Sequence, residues 1–201
     1  MKLTLVTAPT TEPFSLDELK DYIGAFDDLG VQSDLISTLG TAAREHVEKI
    51  TSRAILTQKW DYFLNRWPEC NYIKLPFGNL QNAVGTAPAV SWKDTDGSET
   101  TLTVTTDYIV ETNGDQYGYI FLPYGGSWPT DTLYPSNPIK IRFFCGWTSA
   151  TLVPASIKTA IKMACSDMFD NSEGKVLTNL TYQTNDMLYG LLANWRLWDE
   201  F

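Results

Sequence analysis

Residue types that carry out acid–base or nucleophilic chemistry are sparse in this sequence of 201 residues. Its single histidine, His46, lies at the border of an apolar helical face, near Ala43 and Ile50. No serine or cysteine nucleophile motif accompanies it, and GxSxG, HExxH, P-loop and GxGxxG patterns do not occur. A lone histidine in that position predicts a structural role rather than a general base. The sequence therefore predicts no catalytic residue and a protein that is not an enzyme.

One acidic cluster could suggest a calcium site. Asp94, Asp96 and Glu99 are close in sequence, but they lack the spacing of a twelve-residue calcium loop. Asp96-Gly97 between two apolar runs is instead typical of a hairpin turn, because both positions tolerate positive φ. We expect a turn here, and no metal or cofactor in the protein.

The cysteines and the N-terminus indicate a reducing compartment. Cys70, Cys145 and Cys165 are odd in number and widely spaced, which argues against a disulfide framework. They form no CxxC or Cys/His cluster of the kind that binds structural zinc. The apolar run in residues 1–10 is too short for a signal peptide or a membrane span. We expect synthesis in a cytoplasm and no membrane partner.

Two aromatic groups could bind a partner. The first group consists of Tyr117, Tyr119, Phe121, Tyr124 and Trp128. These side chains could form a platform on which a sugar stacks, although packing in the core of a sheet explains most of them. The second is the chain end. Large aromatics are unusual at a terminus, where disorder is common, and Trp and Arg dominate interface hot spots.

We therefore consider the chain end a candidate partner interface, formed by Trp195, Arg196, Leu197, Trp198 and Phe201. Packing of these side chains within the chain is an equally open alternative. The docking hypothesis expects that deletion of residues 195–201 weakens partner binding and leaves the fold intact.

The charge balance disfavours nucleic-acid binding. The chain has 15 basic and 24 acidic residues, a net charge of −9. The acidic excess is present in residues 1–53, 54–153 and 154–201 alike, and no basic block occurs. Binding through phosphate neutralisation is therefore not expected, and an acidic surface would repel DNA that passes nearby.

Helical spacing at both ends of the chain predicts four helices. Ser15 and Glu18 form a capping-box pair at the start of the first, which should close near residues 27–30. Ser33 can cap the second, where Arg44/Glu48 and Glu45/Lys49 pairs at i,i+4 predict a solvated face. Lys158 and Lys162 are predicted to lie on an ordinary exposed face of the third.

The middle of the chain alternates with period two, which predicts about six strands over residues 54–153. Asn113-Gly114 indicates a second hairpin. Helical spacing returns at Pro154, a residue favoured at the first helical position, and Thr184 can cap a last helix. The fold class is α+β, with an inserted antiparallel β region in a helical core. We expect one domain, 1–201, in which 1–53 and 154–201 form the core and 54–153 the insertion.

Several segments in order resemble the head–tail connector family of tailed bacteriophages, also called adaptor or head-completion proteins. LVTAP at 5–9 and EPFSLDELK at 12–20 resemble the family's opening, and AAREHVE at 42–48 resembles its long helix. TSRAILTQKW at 51–60 resembles TGRALxTQTW, with Ser52 where glycine is usual. The later matches are GW at 146–147, VP at 153–154, IKTAI at 157–161, LYGLL at 188–192 and WR at 195–196. Gly40, which interrupts the long helix, and the tail beyond Arg196 depart from the pattern.

The resemblance implies a structural virion protein, made in the host bacterial cytoplasm and located at the head–tail interface or neck. It implies a homo-oligomeric ring, commonly of twelve subunits, beneath the portal protein. The ring extends the DNA channel, through which DNA passes without sequence-specific binding, and provides the docking surface for a stopper or tail-completion protein. Acidic groups are expected to face the lumen, so that DNA slides. The alternative is a β-rich carbohydrate- or receptor-binding module that uses the Tyr117–Trp128 aromatics.

Overall fold

A computed structural model of the protein describes residues 1–24, 30–170 and 186–197. These residues form an α+β fold with four α-helices and eight strands in two antiparallel sheets. The helices are α1 (Leu16–Ile23), α2 (Gly30–Thr51), α3 (Ala155–Asp170) and α4 (Asp186–Leu192). The strands are β1 (Lys2–Thr7), β2 (Gln58–Leu64), β3 (Tyr72–Gly78), β4 (Ala89–Lys93), β5 (Glu99–Thr101), β6 (Ile109–Glu111), β7 (Tyr117–Phe121) and β8 (Ile139–Cys145).

The chain divides into two compact units. Residues 1–10 and 57–147 form the β unit, and residues 11–56 and 148–201 form the helical unit. The division follows the change in sequence period, because a strand buries every second residue whereas a helix buries one stripe. The assignment of residues 1–10 to the helical core was wrong, since they lie in the β unit.

The larger sheet of the β unit has the strand order β1-β2-β8-β4-β5. Alternate residues of β8 are fully buried, among them Ile139, Ile141 and Phe143. Val90 of β4 lies opposite Ile141 and is buried with it. This face supplies the apolar core of the unit, and the charged residues of the same strands therefore lie on the opposite face.

The strand β1 was not predicted from the sequence. It pairs with β2 antiparallel, with Leu3 opposite Tyr62 and Leu5 opposite Trp60. All six residues of β1 are exposed, so its sequence carries no clear pattern of burial. This segment is a strand because its backbone pairs with that of β2, about 55 residues later in the chain. Local periodicity in the sequence does not reveal such distant pairing.

The smaller sheet has the order β3-β7-β6, and its inner face buries Ile73, Leu75 and Ile120. Both predicted hairpins are present. Asn113 and Gly114 have positive φ between β6 and β7.

Between β4 and β5, Gly97 has a φ of 82°. The Asp94 carboxylate accepts hydrogen bonds from the backbone N–H groups of Asp96 and Ser98, at 3.0 and 2.9 Å. The acidic residues at this position therefore form the turn, as the sequence predicts.

The predicted capping box begins α1. The Glu18 N–H donates to Ser15 Oγ at 3.1 Å, and the Ser15 N–H donates to a Glu18 carboxylate oxygen at 3.4 Å. The helix ends earlier than predicted, at Ile23, because Gly24 adopts a left-handed conformation (φ 75°) and its N–H closes onto the Lys20 carbonyl. Residues 25–29, which include Asp27 and Asp28, lie outside the described parts of the chain.

The helix α2 continues through Gly40 to Thr51, and Ile36, Ala43 and Val47 on one face are buried. Ser52 follows with a φ of 55°. A residue directly after a helix favours glycine in this left-handed region, because glycine has no Cβ. Serine occupies it here at a conformational cost of about 1 kcal/mol.

The helix α3 begins after Pro154 and buries Ile157, Ala160, Ile161 and Cys165 along one stripe. Lys162 of the same helix is half-buried and lies 3.4 Å from Glu18 of α1, so the prediction of an ordinary exposed face was wrong for this residue. The predicted helix cap at Thr184 lies outside the described residues.

Gly40 allows α1 to approach α2 closely. A Cβ at this position would lie 2.7 Å from Leu19 Cδ1 and 3.0 Å from the Phe14 ring. The glycine that departs from the family pattern therefore accommodates α1 and the segment before it, and does not break the helix.

We predict that Gly40→Leu lowers the free energy of unfolding by about 1–3 kcal/mol, because the side chain must displace Leu19 or Phe14. Gly190→Leu is the matched control, since Gly190 is also helical but faces open space. Urea unfolding followed by circular dichroism measures both. Equal midpoints for the two variants would contradict the packing role of Gly40.

Candidate assembly interface

The histidine and the cysteines lie apart from one another in the described parts of the chain. His46 is exposed on α2 instead of bordering the core. Within residues 1–24, 30–170 and 186–197, no group of three or more His, Cys, Asp or Glu side chains could hold a metal ion. None of the three cysteines, all of which the structure describes, forms a disulfide, and burial raises the pKa of Cys165.

The C-terminal segment packs against the end of α2 and the start of α3. The Trp195 indole N–H donates to Ser156 Oγ at 2.8 Å, and the Trp195 carbonyl accepts from the Arg53 guanidinium. The Leu197 N–H donates to the Thr51 carbonyl at 2.9 Å, and the Leu197 side chain is only 4% exposed.

Three of the five predicted interface residues thus fall in the described segment, and their environments differ. Trp195 is half-buried and Leu197 is buried within the helical unit, whereas Arg196 between them is exposed. Trp198 and Phe201 lie outside the described residues. Deletion of residues 195–201 would remove the contacts of Trp195 and Leu197, so a test of partner docking must leave residues 195–197 in place.

A buried arginine joins the start of the helical unit to α2. Arg44 is 4% exposed, and its guanidinium donates to Glu12 and to Glu48, each at 2.8 Å. Thr41 also donates to Glu12, at 3.0 Å. The predicted Arg44/Glu48 pair therefore exists, but the prediction of a solvated face was wrong for it, because the segment containing Glu12 covers it. Glu45 and Lys49 of the same predicted face are exposed.

Glu48 extends this network to the chain that leaves α2. Its second carboxylate oxygen accepts the Ile55 N–H at 2.9 Å. Burial raises the pKa of Glu48, and the Ile55 N–H and Arg44 lower it by less. Burial therefore disfavours the charged carboxylate of Glu48, and its hydrogen-bond partners only partly offset the free energy of desolvation.

The outer side of the smaller sheet carries a second candidate surface, which we call the aromatic face. Register places its residues on one side of β3, β7 and β6, opposite Ile73 and Ile120. It consists of Tyr72, Lys74, Ile109, Glu111, Tyr117, Tyr119 and Phe121. The Tyr72, Tyr119 and Phe121 rings lie 5.7–5.8 Å apart, and Lys74 Nζ is 3.7 Å from the Tyr117 ring.

The interpretation of the β7 aromatics as core residues was therefore wrong. Tyr119 and Phe121 are half-buried on the outer face, and Tyr72 beside them is 43% exposed. Period two alone cannot tell which side of a strand faces the core when both sides are apolar.

Tyr124 and Trp128 do not extend the aromatic face into a single platform. Trp128 is buried, stacks on Trp67 with ring centroids 5.0 Å apart, and donates its indole N–H to the Cys70 carbonyl at 3.0 Å. Tyr124 is fully exposed. A groove of about 760 Å³ lies beside Trp67 and is also lined by Tyr72 and other residues of the β unit.

The outer side of the larger sheet carries the third candidate surface, which we call the basic face. Cross-strand register places these residues together, on the side opposite Ile139 and Ile141. Its charged members are Lys2, Lys59, Asp61, Lys93, Glu99, Lys140 and Arg142. Five cations thus share this face with two carboxylates, in a protein whose net charge is −9.

Ion pairs and aromatic rings hold these cations against the sheet. Arg142 pairs with Asp61 through two hydrogen bonds of 2.7 and 2.8 Å, and Lys140 lies 2.5 Å from Glu99. Hydrogen bonds from Lys140 and Ser91 hold the pKa of Glu99 below its ordinary value.

The lysines on the first two strands of the larger sheet lie over phenylalanine rings. Lys59 Nζ is 5.1 Å from the centre of the Phe144 ring, and Lys2 Nζ is 5.6 Å from that of Phe63. Both rings are half-buried and belong to the same basic face, which therefore combines positive charge with apolar surface.

Charge is divided unequally between the two units. The helical unit has 15 acidic and 8 basic residues, whereas the β unit has 9 and 7. Most of the acidic excess therefore belongs to the helical unit. In the parts of the chain that the structure describes, no helix is long and apolar enough to cross a membrane.

The whole chain matches chains of solved phage-like particles in structure. A chain in "Virion of native gene transfer agent (GTA) particle" has a TM-score of 0.76 and 19% sequence identity. A chain in "Neck of empty GTA particle computed with C6 symmetry" has a TM-score of 0.78 and 18% identity, and one in "Neck of native GTA particle computed with C12 symmetry" has 0.72 and 16%. Each match covers 100% of this chain and 98% of the other. The protein shares their fold.

At this level of identity the likeness establishes fold, over the full length of the protein. No family model matches the sequence, and no match was found among curated proteins. The α+β class predicted from the sequence is confirmed.

We predict that Leu197→Ala lowers the free energy of unfolding by about 2–4 kcal/mol, because it empties a buried site beside Thr51. Met187→Ala, at an exposed position on α4, should change it by less than about 0.5 kcal/mol. Urea unfolding of the two variants measures the difference. Equal destabilisation would show that the segment does not pack in this way.

The raised pKa of Glu48 predicts a pH dependence. Because the folded protein holds a proton on Glu48 more tightly than the unfolded chain does, stability falls as pH rises from the ordinary value of 4.5 through the folded pKa. Glu48→Gln should lack this component. The difference in unfolding free energy between the two proteins, measured from pH 4 to 7, should therefore decline with pH. A flat difference would contradict the raised pKa.

Proposed function

We propose that the protein is a structural component of the neck of a tailed-phage-like particle, namely a head–tail connector or adaptor. The observation that carries the proposal is the end-to-end match in fold to chains of particle necks, over 98% of those chains. The ordered sequence segments that resemble the connector family point to the same role. The proposed location is the virion neck, after synthesis in the host cytoplasm, and the proposed role is assembly rather than enzymatic catalysis.

A ring of copies of this chain beneath the portal is the proposed assembly. The matched neck structures have C6 and C12 symmetry, which supports a ring oligomer. Twelve subunits is the number that the family resemblance implies. The ring would extend the DNA channel, and acidic groups of the helical unit that face the lumen would repel DNA and let it slide.

The proposed partners are the portal protein and a stopper or tail-completion protein. The chain end is the proposed docking segment, with Arg196 exposed at its described end and Trp198 and Phe201 beyond it. Trp195 and Leu197 fix the direction of this segment through their contacts with Ser156 and Thr51. An anchored base reduces the ordering cost of docking the residues that follow.

Mass photometry of the purified protein with its cognate portal tests the proposal. The portal mass should rise by about one ring of 22.6 kDa subunits. Removal of residues 198–201 should reduce the occupancy of the ring, because it removes two aromatic anchors and leaves the packed residues 195–197 intact. Arg196→Ala should weaken binding in the same direction.

Lys49→Ala, an exposed residue on α2, is the control that should leave occupancy unchanged. A wild-type chain that adds no mass to the portal at any salt or protein concentration contradicts the connector function. A truncated chain that fills the ring as well as the wild type removes the docking role of the chain end.

The exposed aromatic face favours a second candidate function, carbohydrate binding. Tyr72, Tyr119 and Phe121 offer ring surface on the outside of a sheet. Such a module would give signals on a glycan array, and Tyr72→Ala should abolish them. Trp128→Ala should reduce the signals only by unfolding the protein, because that ring is buried. A blank array together with portal binding would leave the connector function as the better supported one.

A further inference from the structure

We infer that the basic face is the surface on which each subunit receives helix α1 of the next copy of this chain. The inference rests on the proposed function, since it assumes a ring. In a ring, the contact is heterologous, so one face of a subunit must be complementary to a different face of its neighbour.

Charge is the first argument for this pairing. Copies that each carry a net charge of −9 repel one another unless the contact brings unlike charges together. The basic face supplies an excess of cations, because Asp61 and Glu99 neutralise two of its five positive side chains. Lys93 is exposed beside the Lys140–Glu99 pair, and Lys2 and Lys59 lie over aromatic rings.

The shape of the basic face is the second argument. The face belongs to the largest sheet, and its rings Phe63 and Phe144 remain half-exposed beneath the lysines. A surface that joins apolar area with charge suits a protein partner, since apolar burial stabilises the contact and charge sets its register.

Helix α1 is the complementary surface in the acidic unit. Asp17, Glu18 and Asp21 are exposed on this eight-residue helix, and Tyr22 beside them is 46% exposed. Lys162 contacts Glu18, which leaves Asp17 and Asp21, one turn apart, to meet the lysines of a neighbour. Tyr22 would cover the exposed edge of a phenylalanine ring.

Duplex DNA is the other polyanion that a positive face could bind, and the observations favour it less. Arg142 and Lys140 are engaged by carboxylates of the same sheet and do not form a row of free cations along a phosphate backbone. The remaining charge of the protein would repel DNA. DNA binding is therefore an outcome that the test must be able to reveal.

The test uses charge reversal and its rescue in the full-length chain. Lys59→Glu/Lys93→Glu reverses one cation near each end of the basic face, and Asp17→Lys/Asp21→Lys reverses the helix. Each double variant should need about tenfold or more protein to fill the ring on the portal, and the combined quadruple variant should recover most of that loss. Lys49→Glu/Arg66→Glu, both exposed and outside the basic face, is the control of equal charge. Circular dichroism confirms that each variant is folded.

Carbodiimide cross-linking of mixed ¹⁴N- and ¹⁵N-labelled chains locates the contact directly. Mixed-isotope peptides that join Lys59 or Lys93 to Asp17 or Asp21 support the inference. Inter-chain cross-links that are found only elsewhere overturn it, as does a basic-face variant that fills the ring as the control does. A mobility shift of duplex DNA that Lys59→Glu/Lys93→Glu abolishes would reassign the face to nucleic acid.

The two proposals fail separately. A wild-type ring on the portal with unaffected variants overturns only the inference. If the wild-type chain adds no mass to the portal, the connector function fails, and cross-linking of the concentrated chain alone at low salt then decides the inference. Absence of links between the basic face and α1 in that sample would overturn it as well.

Discussion

Two buried arginines organise the helical unit. A buried guanidinium must be paired, because an unpaired charge in the interior costs several kcal/mol. Arg44 meets this requirement with Glu12 and Glu48, and thereby fixes the segment before α1 onto α2. Arg53, 1% exposed, donates to the Trp195 carbonyl and lies beside its indole ring, and thereby fixes the chain end to the end of α2.

Trp195 and Leu197 are consequently held against the last turn of α2 and the residues that follow it. The carbonyl of Thr51 accepts the Leu197 N–H, and the Glu48 carboxylate accepts the Ile55 N–H at the point where the chain leaves for the β unit. Any partner that binds beyond Leu197 would therefore bind next to residues that are anchored to α2. This connection gives the proposed docking segment a rigid base, which is a requirement for a precise interface.

Segregation of charge is the second constraint. The helical unit has nearly twice as many acidic as basic residues, whereas one face of the larger sheet is positive. A uniformly acidic chain could not form a closed ring without counterions, because identical surfaces would repel. In the proposed ring, this separation of charge would give each subunit one surface that repels DNA and another that attracts the next copy.

The sequence by itself determined the elements that local rules control. The capping box at Ser15, the hairpin turns at Gly97 and Asn113-Gly114, the change of period after Arg53 and the α+β class follow from nearest neighbours in sequence. Only the tertiary structure determined that residues 2–7 form strand β1, that Arg44 is buried and that the aromatic side chains of β7 lie on the outer face of the smaller sheet. The basic face belongs to this second group, since Lys2, Lys59, Lys93, Lys140 and Arg142 are scattered over about 140 residues. Register between distant strands brings them together, and no local pattern encodes register.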